Sequence, residues 1–87
     1  MTSTIQPPYQ GWSSAPSSGT DLNSLTTSAR YQIGNLSQYA NTPTGKGYSG
    51  TLEVDRMGSY VRQIIYLDGG ASYRFSYDNG NTWQAWK

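Results

Sequence analysis

The hydrophobic positions along most of the chain follow a pattern typical of β-strands. Apolar side chains alternate with polar ones over short stretches, and Gly, Asp or Asn separate one stretch from the next. No stretch shows the spacing of a long helix, although Asp21 is placed to cap one short turn at residues 21–25. We therefore predict an all-β protein, a small antiparallel sheet of about five strands. The predicted strands are residues 30–35, 51–56, 60–67, 72–77 and 82–86.

The strand predicted at residues 60–67 carries apolar groups on both of its faces. One face has Val61, Ile65 and Leu67, and the other has Tyr60, Ile64 and Tyr66. A strand that is apolar on both sides is central in its sheet, or it places one side against another subunit. Near the C-terminus, Trp83 and Trp86 are three residues apart, so a regular strand would point them to opposite sides. We expect one indole to close the core and the other to be left for an interface.

A hairpin motif lies between the last two predicted strands. Its residues fit the pattern Ser-x-Asp-x-Gly-x-Thr-Trp and are Ser76, Asp78, Gly80, Thr82 and Trp83. The Asp carboxylate can accept hydrogen bonds from backbone N–H groups of the turn, and the Gly can adopt a positive φ. The pattern resembles the Asp-box of sialidases and other β-propellers. A propeller needs at least four blades of four strands each, which 87 residues cannot supply, so we interpret the motif as structural.

Residues 1–20 differ in composition from the rest of the chain. They are rich in Ser, Thr, Gln, Gly and Pro, and such a segment cannot bury enough apolar surface to offset its own ordering. It is therefore either a disordered tail or an extended arm that docks on another protein. We favour the arm and divide the chain into an arm, residues 1–20, and a β domain, residues 21–87. Its predicted contact residues are Ile5, Pro7, Pro8, Tyr9 and Trp12, where the two prolines favour an extended backbone.

The composition indicates that the domain completes its core by oligomerisation. Only 34% of the residues are hydrophobic, and the eight Tyr and three Trp equal the five Leu, four Ile and two Val in number. Tyr and Trp need partners for their polar ends and are enriched at protein interfaces. The same rings can stack on sugars, so a bacterial surface glycan is the alternative partner. The candidate residues for a subunit or receptor interface are Tyr60, Arg62, Tyr66, Tyr73 and Trp86.

Charge and residue types argue against most catalytic and nucleic-acid functions. The net charge is +1 with the charges scattered singly, which gives no basic patch for nucleic acid. No apolar run is long enough to insert into a membrane. The chain has no His and no Cys, so the common general bases and transition-metal ligands are missing. We therefore predict no catalytic residues, no metal site and no cofactor.

The carboxylates leave one weak enzymatic alternative. Glu53 and Asp55 lie on the same face of a predicted strand, where they are most simply a solvated polar face. A glycan-degrading enzyme would need Glu53 to converge with Asp55, Asp68 or Asp78 across a cleft between subunits. Nothing in the sequence indicates how one of these carboxyl groups would acquire a raised pKa.

The order of several segments resembles the knob domains of phage tail fibres and pyocins. The segments are Asp-Leu-Asn-Ser-Leu-Thr-Thr at 21–27, Arg-Tyr-Gln-Ile at 30–33, Gly-Thr-Leu-Glu-Val at 50–54, the hairpin motif at 76–83, and Trp86. The resemblance covers residues 21–87 and implies a small β-rich knob, usually trimeric, that attaches a particle to the bacterial surface without enzymatic activity. The arm departs from this family, whose knobs end long fibre chains.

The resemblance implies a structural protein of a phage particle that mediates attachment to the host. The arm, through residues 5–12, would hold it to another virion protein. Decoration of a capsid or tail, or an adaptor role without receptor binding, is the alternative. Either the chain is a fragment of a fibre, or it is a free-standing virion protein; the arm favours the second.

Overall fold

The computed structural model describes residues 12–87, which form one four-stranded antiparallel sheet. The strands are β1 (Ala29–Ile33), β2 (Gly50–Met57), β3 (Tyr60–Leu67) and β4 (Gly70–Ser76), and they lie side by side in chain order. Two short 3-10 helices, Leu22–Ser24 and Leu36–Gln38, lie outside the sheet. The predicted all-β fold is confirmed. No helix among the described residues is long and apolar enough to cross a membrane.

The two 3-10 helices begin at the capping residues that their sequences contain. Asp21 accepts a hydrogen bond from the backbone N–H of Asn23 at 2.8 Å, which confirms the predicted cap. Asn35 accepts in the same way from the N–H of Ser37 at 3.0 Å. Each helix contributes one fully buried leucine, Leu22 or Leu36, to the core. The caps therefore help to position the residues that cover the inner face of the sheet.

The core lies on one face of the sheet, which we call the inner face. Its buried apolar members are Leu22, Ile33, Leu36, Leu52, Val54, Val61 and Ile65. In β2 and β3 these are alternate residues, as the sequence pattern predicts. Leu67, predicted on the same face as Val61 and Ile65, is partly buried against this cluster.

The inner face of β4 is polar, whereas its outer face is aromatic. Arg74 and Ser76 are buried, and Tyr73 and Phe75 point to the opposite side. The polar row continues into β3, where Gln63 is fully buried directly opposite Arg74. The fourth strand therefore supplies the interior with hydrogen-bonding groups in place of aliphatic ones.

The predicted fifth strand, residues 82–86, is not a strand in the structure. The segment nevertheless lies beside β4, since Gln84 N–H donates to Phe75 O and Lys87 N–H to Tyr73 O, both at 2.9 Å. Regular alternation is lost because Trp83 and Trp86 pack on the same side, against Arg74. The sheet has four strands instead of about five, and its β4 edge is covered by an irregular segment.

Residues 12–21 begin beside β1 at the other edge of the sheet and then contact residues 38–40, at the end of the second 3-10 helix. Ser13 forms a parallel bridge with Tyr31 of β1, and its N–H donates to Arg30 O at 2.8 Å. Further along, Tyr39 Oη donates to Pro16 O at 2.7 Å, and Asp21 forms a parallel bridge with Ala40. These contacts join residues 13, 16 and 21 to the domain. The predicted arm residues Ile5, Pro7, Pro8 and Tyr9 lie outside the described residues.

Candidate binding surfaces

The hairpin motif forms a tight turn whose side chains bond to one another. Asp78 accepts hydrogen bonds from the N–H of Thr82 at 2.9 Å and from the Thr82 hydroxyl at 2.6 Å. Ser76 Oγ donates to Asp78 at 2.8 Å and accepts from Gly80 N–H at 2.8 Å. Hydrogen bonds from Thr82, and then from Ser76, lower the pKa of the Asp78 carboxyl group. The Asp78 carboxylate is therefore engaged in the hydrogen bonds that stabilise the turn.

Gly80 is the residue of this turn that tolerates no side chain. Its φ is +85°, and a Cβ atom there would lie 2.5 Å from Cγ2 of Thr26. Trp83 lies close by and is partly buried against the core. These contacts join the turn to the segment that follows the first 3-10 helix, so the motif supports the fold.

The outer face of the sheet brings together four of the five predicted interface residues. Tyr60, Arg62 and Tyr66 alternate along β3, and Tyr73 lies beside Ile64, the residue between Arg62 and Tyr66 on that face. Tyr66 and Tyr73 are 45% and 40% exposed. We call this surface the outer face.

The aromatic rings of the outer face form a continuous cluster. The ring of Tyr60 stacks on Phe75 with centroids 5.6 Å apart and contacts Tyr77 at 5.4 Å. Tyr73 meets Phe75 edge-on at 5.6 Å. Contacts of this kind hold the rings in fixed positions before any partner binds. The cluster is therefore a preorganised apolar surface beside water.

The candidate catalytic carboxylates of the outer face are each paired with arginine. Asp55 lies 2.8 Å from Arg62, and Glu53 lies 3.6 Å from Arg30. The hydrogen bond that Arg62 donates to Asp55 raises the pKa of Arg62. Within one chain the other carboxylates lie apart. Asp68 follows β3 at one end of the sheet, and Asp78 follows β4 at the opposite end.

No metal-binding cluster occurs in the part of the chain that the structure describes. No three His, Cys, Asp or Glu residues of residues 12–87 lie close enough together to hold an ion. Ion pairs and the hairpin turn account for the acidic side chains at positions 53, 55 and 78.

The burial of Arg74 was not predicted from the sequence. It is 4% exposed, its Nε donates to Gln63 Oε1 at 2.8 Å, and its guanidinium lies 4.2 Å from the ring of Trp83 and 4.6 Å from that of Trp86. Gln63 in turn donates to Leu22 O at 2.7 Å. Burial lowers the pKa of Arg74 to about 10, while the charge of Asp21 acts in the opposite direction. Arg74 is therefore still a cation at neutral pH.

This arrangement separates Trp86 from the other predicted interface residues. The indole packs against the inner side of the fold, and its Nε1 donates to Asn41 O at 2.8 Å. The prediction that Trp83 and Trp86 face opposite sides is wrong, because both indoles cover one guanidinium. The sequence does show that Ser72, Arg74 and Ser76 alternate with aromatic residues. This alternation places them on the face opposite the aromatic side chains, but it does not say which of the two faces is buried.

The comparisons with known proteins agree with this architecture. No protein-family model matches the sequence, and no curated protein matches it. Among solved structures, a fragment of the R1 pyocin fibre of P. aeruginosa, its C-terminal residues 323–701, aligns with a TM-score of 0.75 over 90% of this chain. The chain has the fold of a pyocin-fibre segment. It is 22% identical to that pyocin fibre and spans 21% of the fragment's length.

Proposed function

We propose that this chain is a tail-fibre-like module of a phage particle that attaches the particle to the surface of its host. The fold shared with a pyocin fibre carries the proposal. The chemistry of the molecule is consistent with a binding role, because the outer face presents a preformed aromatic cluster and its carboxylates are neutralised by arginines. The chain then acts by adhesion, without catalysis and without a cofactor.

We further propose that three copies associate, as the resemblance to fibre knobs implies, and that they do so through the outer face. The face carries the aromatic rings of Tyr60, Tyr73 and Phe75 beside the Arg62–Asp55 ion pair. Burial of such apolar surface away from water is favourable. Aromatic and Arg residues are the types that dominate the energetics of protein interfaces. Association would bury this face and complete a core that is small in one chain.

The test of attachment is direct binding of purified, fluorescently labelled protein to bacterial cells. A panel of strains is incubated with the protein, and cell-bound fluorescence is measured with and without excess unlabelled protein. Saturable binding to particular strains, together with competition against adsorption of the phage particle, is the expected result. Binding to purified particles without binding to any strain would instead indicate the decoration or adaptor role and overturn the proposal.

The N-terminal arm is proposed to connect the module to another virion protein through residues 5–12. Trp12 is 49% exposed, and its ring lies 5.5 Å from the guanidinium of Arg30, at the edge of the outer face. Trp12, the first described residue, therefore lies at a surface that a partner can reach.

Two truncations separate anchoring from folding. Removal of residues 1–11 should abolish binding to purified particles and leave the thermal unfolding midpoint unchanged. Removal of residues 1–20 should also lower that midpoint, since it deletes the Ser13 and Pro16 contacts with Arg30 and Tyr39. Co-sedimentation with particles and circular dichroism measure the two properties. Particle binding retained after removal of residues 1–11 would contradict the anchoring role.

A further inference from the structure

A small pocket lies where the C-terminal segment passes the loop after the second 3-10 helix. Its volume is about 360 Å³, and it opens on the inner side of the domain, away from the outer face. Its lining residues are Asn23, Asn41, Thr42, Arg74, Trp83, Gln84, Ala85 and Trp86. The pocket therefore combines one buried cation, two indoles, several amides and one hydroxyl group.

Arg74 brings unused hydrogen-bonding capacity to the wall of this pocket. A guanidinium has five N–H donors, and the described residues give it one hydrogen bond, from Nε to Gln63. The terminal nitrogen Nη2 is buried and has no acceptor among the described residues. Neither of the two ion pairs found in residues 12–87 includes Arg74. The charge of Asp21 and the faces of two indoles compensate the buried cation in part, but they leave Nη2 without an acceptor.

Two further unsatisfied groups belong to the same pocket. Within residues 12–87, four buried side-chain polar atoms lack a hydrogen-bond partner, and three of them are on pocket-lining residues: Asn23 Oδ1, Arg74 Nη2 and Trp83 Nε1. Each such group costs on the order of 1–3 kcal/mol when it is buried unpaired. Their concentration at one place indicates a site that a polar ligand completes.

We propose that this pocket binds a sugar residue that carries a carboxylate. The guanidinium of Arg74 matches the two oxygens of a carboxylate, and charge-assisted bonds of this type are strong. The indoles of Trp83 and Trp86 form an apolar wall for the sugar ring, and Asn41, Thr42 and Gln84 offer partners for its hydroxyl groups. The inference rests on the proposed attachment function and names the chemistry of the surface component that is recognised.

Ligand entry requires a local movement of the pocket rim. The three unsatisfied atoms are shielded from solvent, whereas Asn41 and Gln84 are exposed. A ligand that reaches Arg74 would displace side chains of this rim, and Asn41 would then give up the hydrogen bond that its Nδ2 donates to Asp21 Oδ1 at 2.7 Å. The backbone carbonyl of Asn41 accepts from Trp86 Nε1, so a ligand at the rim changes the environment of that indole N–H as well.

The test is NMR titration of the full chain labelled with ¹⁵N, observed at the indole N–H resonances. Methyl β-D-glucuronoside should shift the resonances of Trp83 and Trp86 and leave that of Trp12, which lies outside the pocket, unchanged. Methyl β-D-glucoside, which lacks the carboxylate, should bind at least about tenfold more weakly, as the loss of one charge-assisted hydrogen bond predicts. Equal affinities for the two glycosides, equal shifts with sodium acetate alone, or no shift of Trp83 and Trp86 would overturn the proposal.

A charge variant at the rim tests the site without disturbing the interior. Gln84→Glu places a negative charge in the pocket at an exposed position, and it should weaken glucuronoside binding by about three- to tenfold more than it weakens glucoside binding. Gln38→Glu makes the same charge change at an exposed position outside the pocket and should have no effect. Equal effects of the two variants would show that only the overall charge matters and would contradict the site.

The binding of labelled protein to cells distinguishes this inference from the proposed function. Cell binding that is saturable but insensitive to Gln84→Glu and to excess glucuronoside would overturn the sugar site and leave attachment in place. Glucuronoside binding at Trp83 and Trp86 without binding to any strain would support the site and remove the attachment role.

Discussion

Gln63 is the residue that connects the polar interior of the sheet to the first 3-10 helix. Its amide donates to Leu22 O at 2.7 Å and to Leu25 O at 2.9 Å, and its carbonyl accepts from Arg74 at 2.8 Å. All of its hydrogen-bonding capacity except one carbonyl lone pair is thus used inside the domain. An aliphatic residue at position 63, between Val61 and Ile65 on the inner face, could not form these hydrogen bonds.

Gln63→Leu should destabilise the domain strongly. Leucine has a similar volume, but it leaves the Leu25 carbonyl and Arg74 Nε without partners and removes one of the two hydrogen bonds that the Leu22 carbonyl accepts. With roughly 1–3 kcal/mol for each buried group left unpaired, we expect a loss of about 3–5 kcal/mol in the free energy of unfolding. Urea denaturation followed by tryptophan fluorescence measures it. Gln32→Leu, at an exposed position of β1, is the control and should change stability by less than about 0.5 kcal/mol; a similar loss in both variants would contradict the role of Gln63.

Asp78 gives the stability of the domain a dependence on acidic pH. The hydrogen bonds from Thr82 and Ser76 favour the carboxylate, so the folded-state pKa lies below the ordinary value of 3.8. A carboxyl group with a lowered folded-state pKa stabilises the protein above its unfolded-state pKa, and this contribution is lost as pH falls through the folded-state value. The relevant window therefore lies below about pH 4.

We expect Asp78→Asn to be less stable than the original chain at pH 6 and to lose less stability between pH 5 and pH 2. Asparagine keeps one acceptor for the Thr82 N–H, but it presents an N–H group where Asp78 accepts from the Thr82 hydroxyl. Thermal unfolding midpoints measured across this range test the prediction. Asp68→Asn, in an exposed turn, makes the same change of charge elsewhere. Identical pH profiles for Asp78→Asn and the original chain would show that this carboxylate is not coupled to folding.

At the scale of elements, the turn after β4 depends on backbone conformation and on space. Gly80 combines a φ of +85° with a neighbour, Thr26 Cγ2, 2.5 Å from where a Cβ would stand. Gly58 has a φ of +60° but nothing within 4 Å of such an atom. A comparison of substitutions at Gly58 and Gly80 therefore distinguishes the cost of backbone strain from that of steric crowding.

Gly58→Ala should cost about 1 kcal/mol from the left-handed backbone alone, and Gly80→Ala clearly more because the methyl group also displaces Thr26. Denaturant midpoints of the two variants give the difference. Thr26→Ser removes Cγ2, so it should recover part of the loss when it is combined with Gly80→Ala. Equal costs for the two alanine variants would mean that Thr26 moves aside without resistance.

The strands were predictable because each depends on local alternation. Residues 60–67 were predicted with the bounds that the structure shows, and residues 51–56 lie within β2. The C-terminal strand was not predictable in its observed form, since its irregular path follows from packing against Arg74, whose burial the sequence pattern does not show. Of the five predicted interface residues, four lie on the outer face and Trp86 does not; whether that face is an interface stays a prediction. The pocket was not predicted, because charged side chains are seldom buried in place of aromatic ones. In β4, Arg74 points to the interior and the aromatic residues point outward.

At the scale of the whole molecule, the sheet has one covered face and one open face. The inner face packs on the 3-10 helices and the core, whereas the outer face carries rings and ion pairs toward solvent. Met57, 78% exposed, adds a further apolar group near Tyr60. An apolar surface of this kind on a small domain is typical of an interaction site. The proposed association of copies through this face would bury these rings.

Tyr73→Asp should convert the proposed trimer into monomers. Tyr73 is 40% exposed and contacts Phe75, so an aspartate at this position would place an unpaired charge against the aromatic cluster of the proposed interface. Sedimentation equilibrium at micromolar concentration should give a mass three times the 9.6 kDa of one chain for the original protein and the mass of a single chain for the variant. Tyr48→Asp changes a tyrosine that is 51% exposed in the loop before β2, and it should leave the trimer intact. Because only the outer-face position is expected to matter, dissociation of the trimer by both variants would point to a different interface. A monomeric original chain would contradict the proposed trimer itself.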